Sequence, residues 1–167
     1  MESNKQISSI LFVCLGNICR SPLAEAIARD IVAKHNLYIK VDSAGTGSWH
    51  VGETPCENSQ KVAFQNSLDI SNYKARQVTK KDFQNFDLIV GLDSSNIANL
   101  KKIGCQNPLL LGDFGFEGED VPDPYFFDGF EGFTTVYSMI ETCVNTLFEE
   151  YNLISTSITN PIQYQLK

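Results

Sequence analysis

The sequence predicts an α/β fold in which helices cover both faces of a parallel sheet. Three observations carry that expectation. Short apolar runs rich in β-branched residues recur along the chain, and stretches of helical period separate them. The first apolar run also passes through a tight loop straight into a helix. Strands separated by helices pair in parallel through right-handed crossovers, which bury the sheet on both sides.

The first strand is expected over 10–14, where Ile10-Leu11-Phe12-Val13 is continuously apolar. A helix follows over 22–34, with Ser21 at the N-cap position and Pro22 at the first helical one. The second strand is expected over 39–43 and the next helix over 55–66. Residues 88–92 form the third strand, and a helix over 94–101 comes after it. A shorter fourth strand, 109–111, begins after Pro108. In the final helix, expected over 130–151, Val136, Ile140, Cys143, Val144, Leu147 and Phe148 share one face. No internal repeat or second domain interrupts this order. A polar lead over 1–7, one domain over 8–151 and a loosely ordered tail over 152–167 are the expected divisions.

The loop after the first strand carries the chemistry. Cys14-Leu15-Gly16-Asn17-Ile18-Cys19-Arg20-Ser21-Pro22 starts with a cysteine and ends with an arginine at a helix N-terminus. Converging backbone N–H groups, together with the positive end of the helix dipole, make an anion site suited to phosphate. The same field stabilises a thiolate, which makes Cys14 a candidate nucleophile. Arg20 offers a planar fork for two phosphate oxygens. Gly16 permits backbone that a side chain would forbid, and Asn17 tolerates left-handed geometry.

Composition narrows the classes of function. A chain of 167 residues, 43% hydrophobic, suits one domain with a sizeable core. A formal charge of −7 argues against nucleic acid or an anionic membrane as partner. No apolar run reaches membrane-spanning length, and the start does not read as a secretory signal. Five cysteines without a framework spacing suggest reduced thiols in the cytoplasm. No Cys/His cluster has metal-ligand spacing, so a metal is not implied. A thiolate that takes up a phosphoryl group needs a proton donor for the leaving group. Candidates lie between 113 and 131, where Asp113, Glu117, Glu119, Asp120, Asp123, Asp128 and Glu131 stand, and spacing alone does not choose among them.

The loop resembles the signature of the low-molecular-weight protein tyrosine phosphatases. Asp42-Ser43-Ala44-Gly45-Thr46, Trp49, Lys74-Ala75-Arg76-Gln77, Asp82-Phe83, Phe86-Asp87, Asp93 with Ser95-Asn96, and Asp123-Pro124-Tyr125 follow in that family's order over about 8–150. The resemblance implies a four-stranded, three-layer, flavodoxin-like fold. It also implies a two-step displacement that needs no metal or organic cofactor: Cys14 as nucleophile, Arg20 and the loop amides holding the phosphate, and Asp123 as general acid and then base. Leu15, Gly16, Asn17, Ile18, Cys19 and Ser21 complete the phosphate-binding loop on this reading, and Asn17, Ser21 and Ser43 hydrogen-bond it into shape. Leu15, Trp49, Tyr125 and Phe126 match the family's substrate slot, whose flat apolar walls suit a phenyl ring. Phosphotyrosine proteins or peptides are the implied partners; the sequence does not give the oligomeric state, and a monomer is the expectation.

Three positions qualify the resemblance. Tyr73 stands where mammalian-type members have histidine, so it either joins the loop network or merely packs. Related bacterial protein arginine phosphatases typically carry Thr at the position of Ile18, and Ile favours tyrosine. The family can join the pair matching Cys14 and Cys19 as a reversible disulfide, which would make activity redox-sensitive. Two rivals fit less well. A thioredoxin-coupled arsenate reductase needs neighbouring resolving cysteines late in the chain, and Cys105 and Cys143 are far apart. A non-catalytic phosphopeptide-binding module would be expected to lack the nucleophile or the acid.

Overall fold

The computed structural model describes residues 6–155. The expectations for 1–5 and 156–167 therefore lie outside the described residues. Strand β1 (Ser9–Cys14) leads into helix α1 (Arg20–Lys34), then β2 (Lys40–Gly45) and α2 (Glu57–Gln65). A one-turn helix α3 (Asp82–Asn85), β3 (Leu88–Gly91), α4 (Ser94–Lys102), β4 (Leu109–Leu110) and the long α5 (Glu131–Glu150) follow. All pairings are parallel, in the order β2-β1-β3-β4. The expected four-stranded α/β architecture is observed.

Alternation along β1 builds two cores. Ile10, Phe12 and Cys14 face one side, where they join residues of α1 and α5 such as Leu23, Ile27, Ile140 and Phe148. Leu11 and Val13 face the other, with Val78, Phe86, Ile89, Leu100 and Cys105. Period-two geometry puts neighbours on opposite faces, and a central strand covered twice must be apolar at every position. Each fully buried Phe or Leu contributes roughly 1.5–3 kcal/mol relative to exposure. In α5 every residue assigned to its apolar face is buried.

Differences from expectation sit at element ends. Helix α1 starts at Arg20, with Cys19 as its N-cap and no side-chain cap, so Ser21 is not the cap. Its hydroxyl turns inward to the loop, as described below. β4 stops at Leu110 because 111–113 tighten into a 3₁₀ turn. The four-residue α3 is shorter than hydrophobic periodicity can reveal. It exists because Asp82 accepts hydrogen bonds from the Thr79 N–H and the Arg76 guanidinium.

Candidate active site

The carboxyl ends of β1 and β3 lie side by side, where ligands bind in open parallel sheets. The β1 end delivers Cys14, buried at 3% exposure. The N–H of Asn17 donates to its sulfur at 3.3 Å, and the Ser21 hydroxyl lies 3.0 Å away. Among the described residues the N–H groups of 15, 16, 18 and 19 donate to no protein acceptor. The loop after the sulfur thus keeps several N–H groups free, which is what a tetrahedral oxyanion requires.

Asn17 holds the loop's shape. Its φ of 60° is left-handed, as expected, whereas Gly16 is not in that region. Glycine at 16 serves proximity instead, since a Cβ there would stand 3.0 Å from the His50 ring. The Asn17 amide donates to Ser21 Oγ at 2.8 Å and Ser43 Oγ at 3.0 Å, and its carbonyl accepts the Arg76 N–H at 3.0 Å. Three satisfied hydrogen bonds offset the cost of the unusual backbone. Gly45 lets the loop pass behind, because a Cβ there would lie 2.7 Å from the Leu15 carbonyl oxygen.

The network ends at Glu25, which sequence reasoning missed. Ser43 Oγ donates to Glu25 Oε1 at 2.6 Å, and Arg29 Nε donates to Oε2 at 2.7 Å. Burial raises the Glu25 carboxyl above its ordinary value, Ser43 and Arg29 oppose that, and Asp42 adds to it. Tyr73 stands beside this chain without joining it. Its ring packs on the core under Arg29, 5.8 Å away, and Ser43 reaches Glu25 directly. A carboxyl whose folded pKa is raised supports stability below its unfolded value and loses that support as pH rises through the folded one. Glu25→Gln should therefore gain Tm relative to the wild type on going from acid to neutral pH. Parallel melting curves across that range would show the gap; a constant gap would contradict the assignment.

Arg20 is also buried, with one nitrogen donating to Asp93 at 2.7 Å and to the Val121 carbonyl at 2.8 Å. Burial alone disfavours its charge, but Cys14 and Asp93 outweigh that and the net direction is upward. Asp93 also starts α4, because its other oxygen accepts the Asn96 N–H at 2.8 Å in a capping box. A residue at the end of β3 thus fixes the orientation of a guanidinium in the loop after β1. Asp93 with Ser95-Asn96 was legible as a motif, but the bond from Arg20 to Asp93 was not.

Above the sulfur opens a cavity of about 180 Å³ lined by Cys14, Leu15, Gly16, Ile18, Cys19, Arg20, Trp49, His50, Asp123 and Tyr125. Leu15, Trp49 and Tyr125 are exposed apolar walls, and the Tyr125 ring is braced edge-on against Phe133 at 5.2 Å. Phe126, expected in the slot, is 83% exposed and is not among the residues lining this cavity. Both aromatics sit in the 3₁₀ turn Pro124–Phe126, where successive side chains diverge by about 120°, so only one can face inward. His50 also contributes a wall. Asp123 caps the same turn by accepting the Tyr125 N–H at 3.0 Å, and this brings its carboxyl to the slot. Asp120 is committed elsewhere, to Ser94 N and Oγ at 2.9 and 2.7 Å. Cys19 Sγ faces Cys56 Sγ at 2.9 Å.

A buried sulfur, free loop donors, a fixed guanidinium and a carboxyl at the cavity can together displace a phosphoryl group. Residues 9–155 match the family model described as low molecular weight phosphotyrosine protein phosphatase. The low molecular weight protein-tyrosine-phosphatase YfkJ of Bacillus subtilis is 45% identical over 131 residues, 74% of this chain and 84% of that protein. The crystal structure of YfkJ aligns at a TM-score of 0.80, covering 92% of this chain and 99% of YfkJ at 38% identity. PtpA of Staphylococcus aureus, likewise a low molecular weight protein-tyrosine-phosphatase, is 41% identical over 84% of this chain and 91% of its own. A drosophila arginine phosphatase also aligns, with a TM-score of 0.79 at 35% identity over 89% of this chain and 98% of its own.

Proposed function

The chain belongs to the low molecular weight phosphotyrosine protein phosphatase family and is a hydrolase of that class; from this we propose that Cys14, Arg20 and Asp123 hydrolyse phosphotyrosine as follows. Cys14 sulfur attacks phosphorus, and the bond from phosphorus to the phenolic oxygen breaks. Asp123 gives its proton to the departing phenolate. Loop N–H groups and Arg20 stabilise the equatorial oxygens, which carry the charge of the transition state. Water then attacks the cysteinyl phosphate, Asp123 takes the proton, and the sulfur–phosphorus bond breaks to release phosphate.

The observation that carries this reading is the cavity itself, with Cys14 and Arg20 at its floor, Asp123 at its rim and apolar walls between. A phenyl ring fits between Trp49 and Tyr125, and a shorter phosphoserine holds its phosphate too close to the peptide backbone to reach the floor. Peptides and proteins carrying phosphotyrosine are thus the substrates. The five free thiols support a reducing compartment, the cytoplasm, as its place of action. We assign one phosphatase domain. No helix among the described residues is long and apolar enough to cross a membrane.

The test is kcat/KM for one peptide phosphorylated on tyrosine, serine or arginine. Tyrosine should lead serine by at least about tenfold, a difference of about 1.4 kcal/mol in transition-state binding. Preference for phosphoarginine would shift the assignment toward the activity named for the drosophila neighbour and remove Ile18 as a discriminator.

A further inference from the structure

Cys56 takes no part in the displacement, yet its sulfur stands 2.9 Å from that of Cys19 in the phosphate loop. The nucleophile has partners of its own, Ser21 Oγ and the Asn17 N–H. Backbone contacts already hold the two segments together. The Cys56 N–H donates to the Ile18 carbonyl at 2.9 Å, and the Ser59 hydroxyl donates to the Cys19 carbonyl at 3.1 Å. A disulfide needs its sulfurs at about 2.05 Å, so the pair must approach by about an ångström, within reach of side-chain rotation.

We propose that Cys19 and Cys56 form a peroxide-responsive dithiol that closes to a disulfide, tying the phosphate loop to the start of α2 and leaving Cys14 free. Cys56 is the member that reacts first. It is the N-cap of the nine-residue α2, where the helix dipole favours a negative sulfur. The Cys19 sulfur lies 2.9 Å from it and the Ser59 hydroxyl oxygen 3.3 Å, and hydrogen bonding to Cys19, Ser59 and Tyr125 lowers the Cys56 thiol against the penalty of burial. Cys19 is pushed upward by its contact with Cys56 and by burial.

The electrons balance with one peroxide. Cys56 thiolate attacks an oxygen of hydrogen peroxide, the O–O bond breaks, and the expelled hydroxide is protonated to water. Cys56 then carries a sulfenic acid. Cys19 sulfur attacks the sulfenic sulfur, the S–S bond forms, and the S–O bond breaks. The hydroxyl leaves as water with the Cys19 proton. Two thiols are oxidised and one peroxide is reduced to two waters; a dithiol reductant reverses the process. With Cys19 engaged, the thiol beside the nucleophile is no longer available to capture an oxidised Cys14.

Tryptic mapping of the full chain reads this directly, whether or not the phosphatase reading holds. Trypsin leaves Cys14 and Cys19 together on peptide 6–20 and Cys56 on peptide 41–61. After brief exposure to hydrogen peroxide and capping with iodoacetamide, most chains should show 6–20 cross-linked to 41–61 with Cys14 capped. Dithiothreitol should undo the link, Cys14→Ser should keep it, and Cys56→Ser should remove it. A link confined to 6–20 in the wild type, with Cys56 capped, would overturn the proposal. So would the absence of any cross-link while Cys14 is oxidised.

Discussion

Cys14→Ser is expected to lower kcat by roughly 10⁴-fold or more, since it removes the group that forms the covalent intermediate. A serine hydroxyl is a poor nucleophile without a base to take its proton, and no histidine or lysine lines this cavity within the loop floor. His50, at the wall, is hydrogen-bonded to Glu53 at 3.0 Å and belongs to a different segment. Binding should survive, because the loop N–H groups and Arg20 are untouched by the change. Titration calorimetry with a phosphotyrosine peptide would then show a complex that does not turn over. Retention of a tenth of wild-type kcat would sink Cys14 as the nucleophile.

The second large effect is expected from Asp123→Asn, which should cost about 10²–10⁴ in kcat with a phenyl phosphate. Asparagine keeps the acceptor that caps the Pro124–Phe126 turn, so the Tyr125 wall should stay in place. What it lacks is a proton to give. The penalty should therefore shrink as the leaving group improves, and be smaller with p-nitrophenyl phosphate than with phenyl phosphate. A penalty independent of the leaving group would mean that Asp123 acts by position or charge and that the proton comes from elsewhere.

How far the sequence reaches into this site can be judged from individual residues. Cys14 and Arg20 were legible because a strand, a loop and a helix are local, and their geometry follows from neighbouring residues. The resemblance singled out Asp123, which spacing among seven carboxylates did not. Tyr125 lines the cavity and Phe126 does not, because adjacent aromatics in a 3₁₀ turn point in different directions, and no pattern of letters says which one faces inward. Ser21 belongs to the loop as expected but does not cap the helix, since the helix begins one residue before it. The contacts of Glu25, Asp93 and Cys56 were missed for a common reason. Each acts through a partner distant in the chain: Ser43, Arg20 and Cys19 respectively.

By itself the sequence determined the parallel α/β sheet, the two-sided core and the loop from Cys14 to Arg20 at the end of its first strand. These rest on hydrophobic period, on glycine and proline, and on the order of residues within a few positions, all of which are local. Only the tertiary structure decided that Glu25 ends the hydrogen-bond chain behind the loop, that Asp93 aims Arg20, and that Cys19 faces Cys56. Those contacts span 18, 73 and 37 residues of chain. They exist because parallel crossovers bring the ends of separate strands and helices to one edge of the sheet.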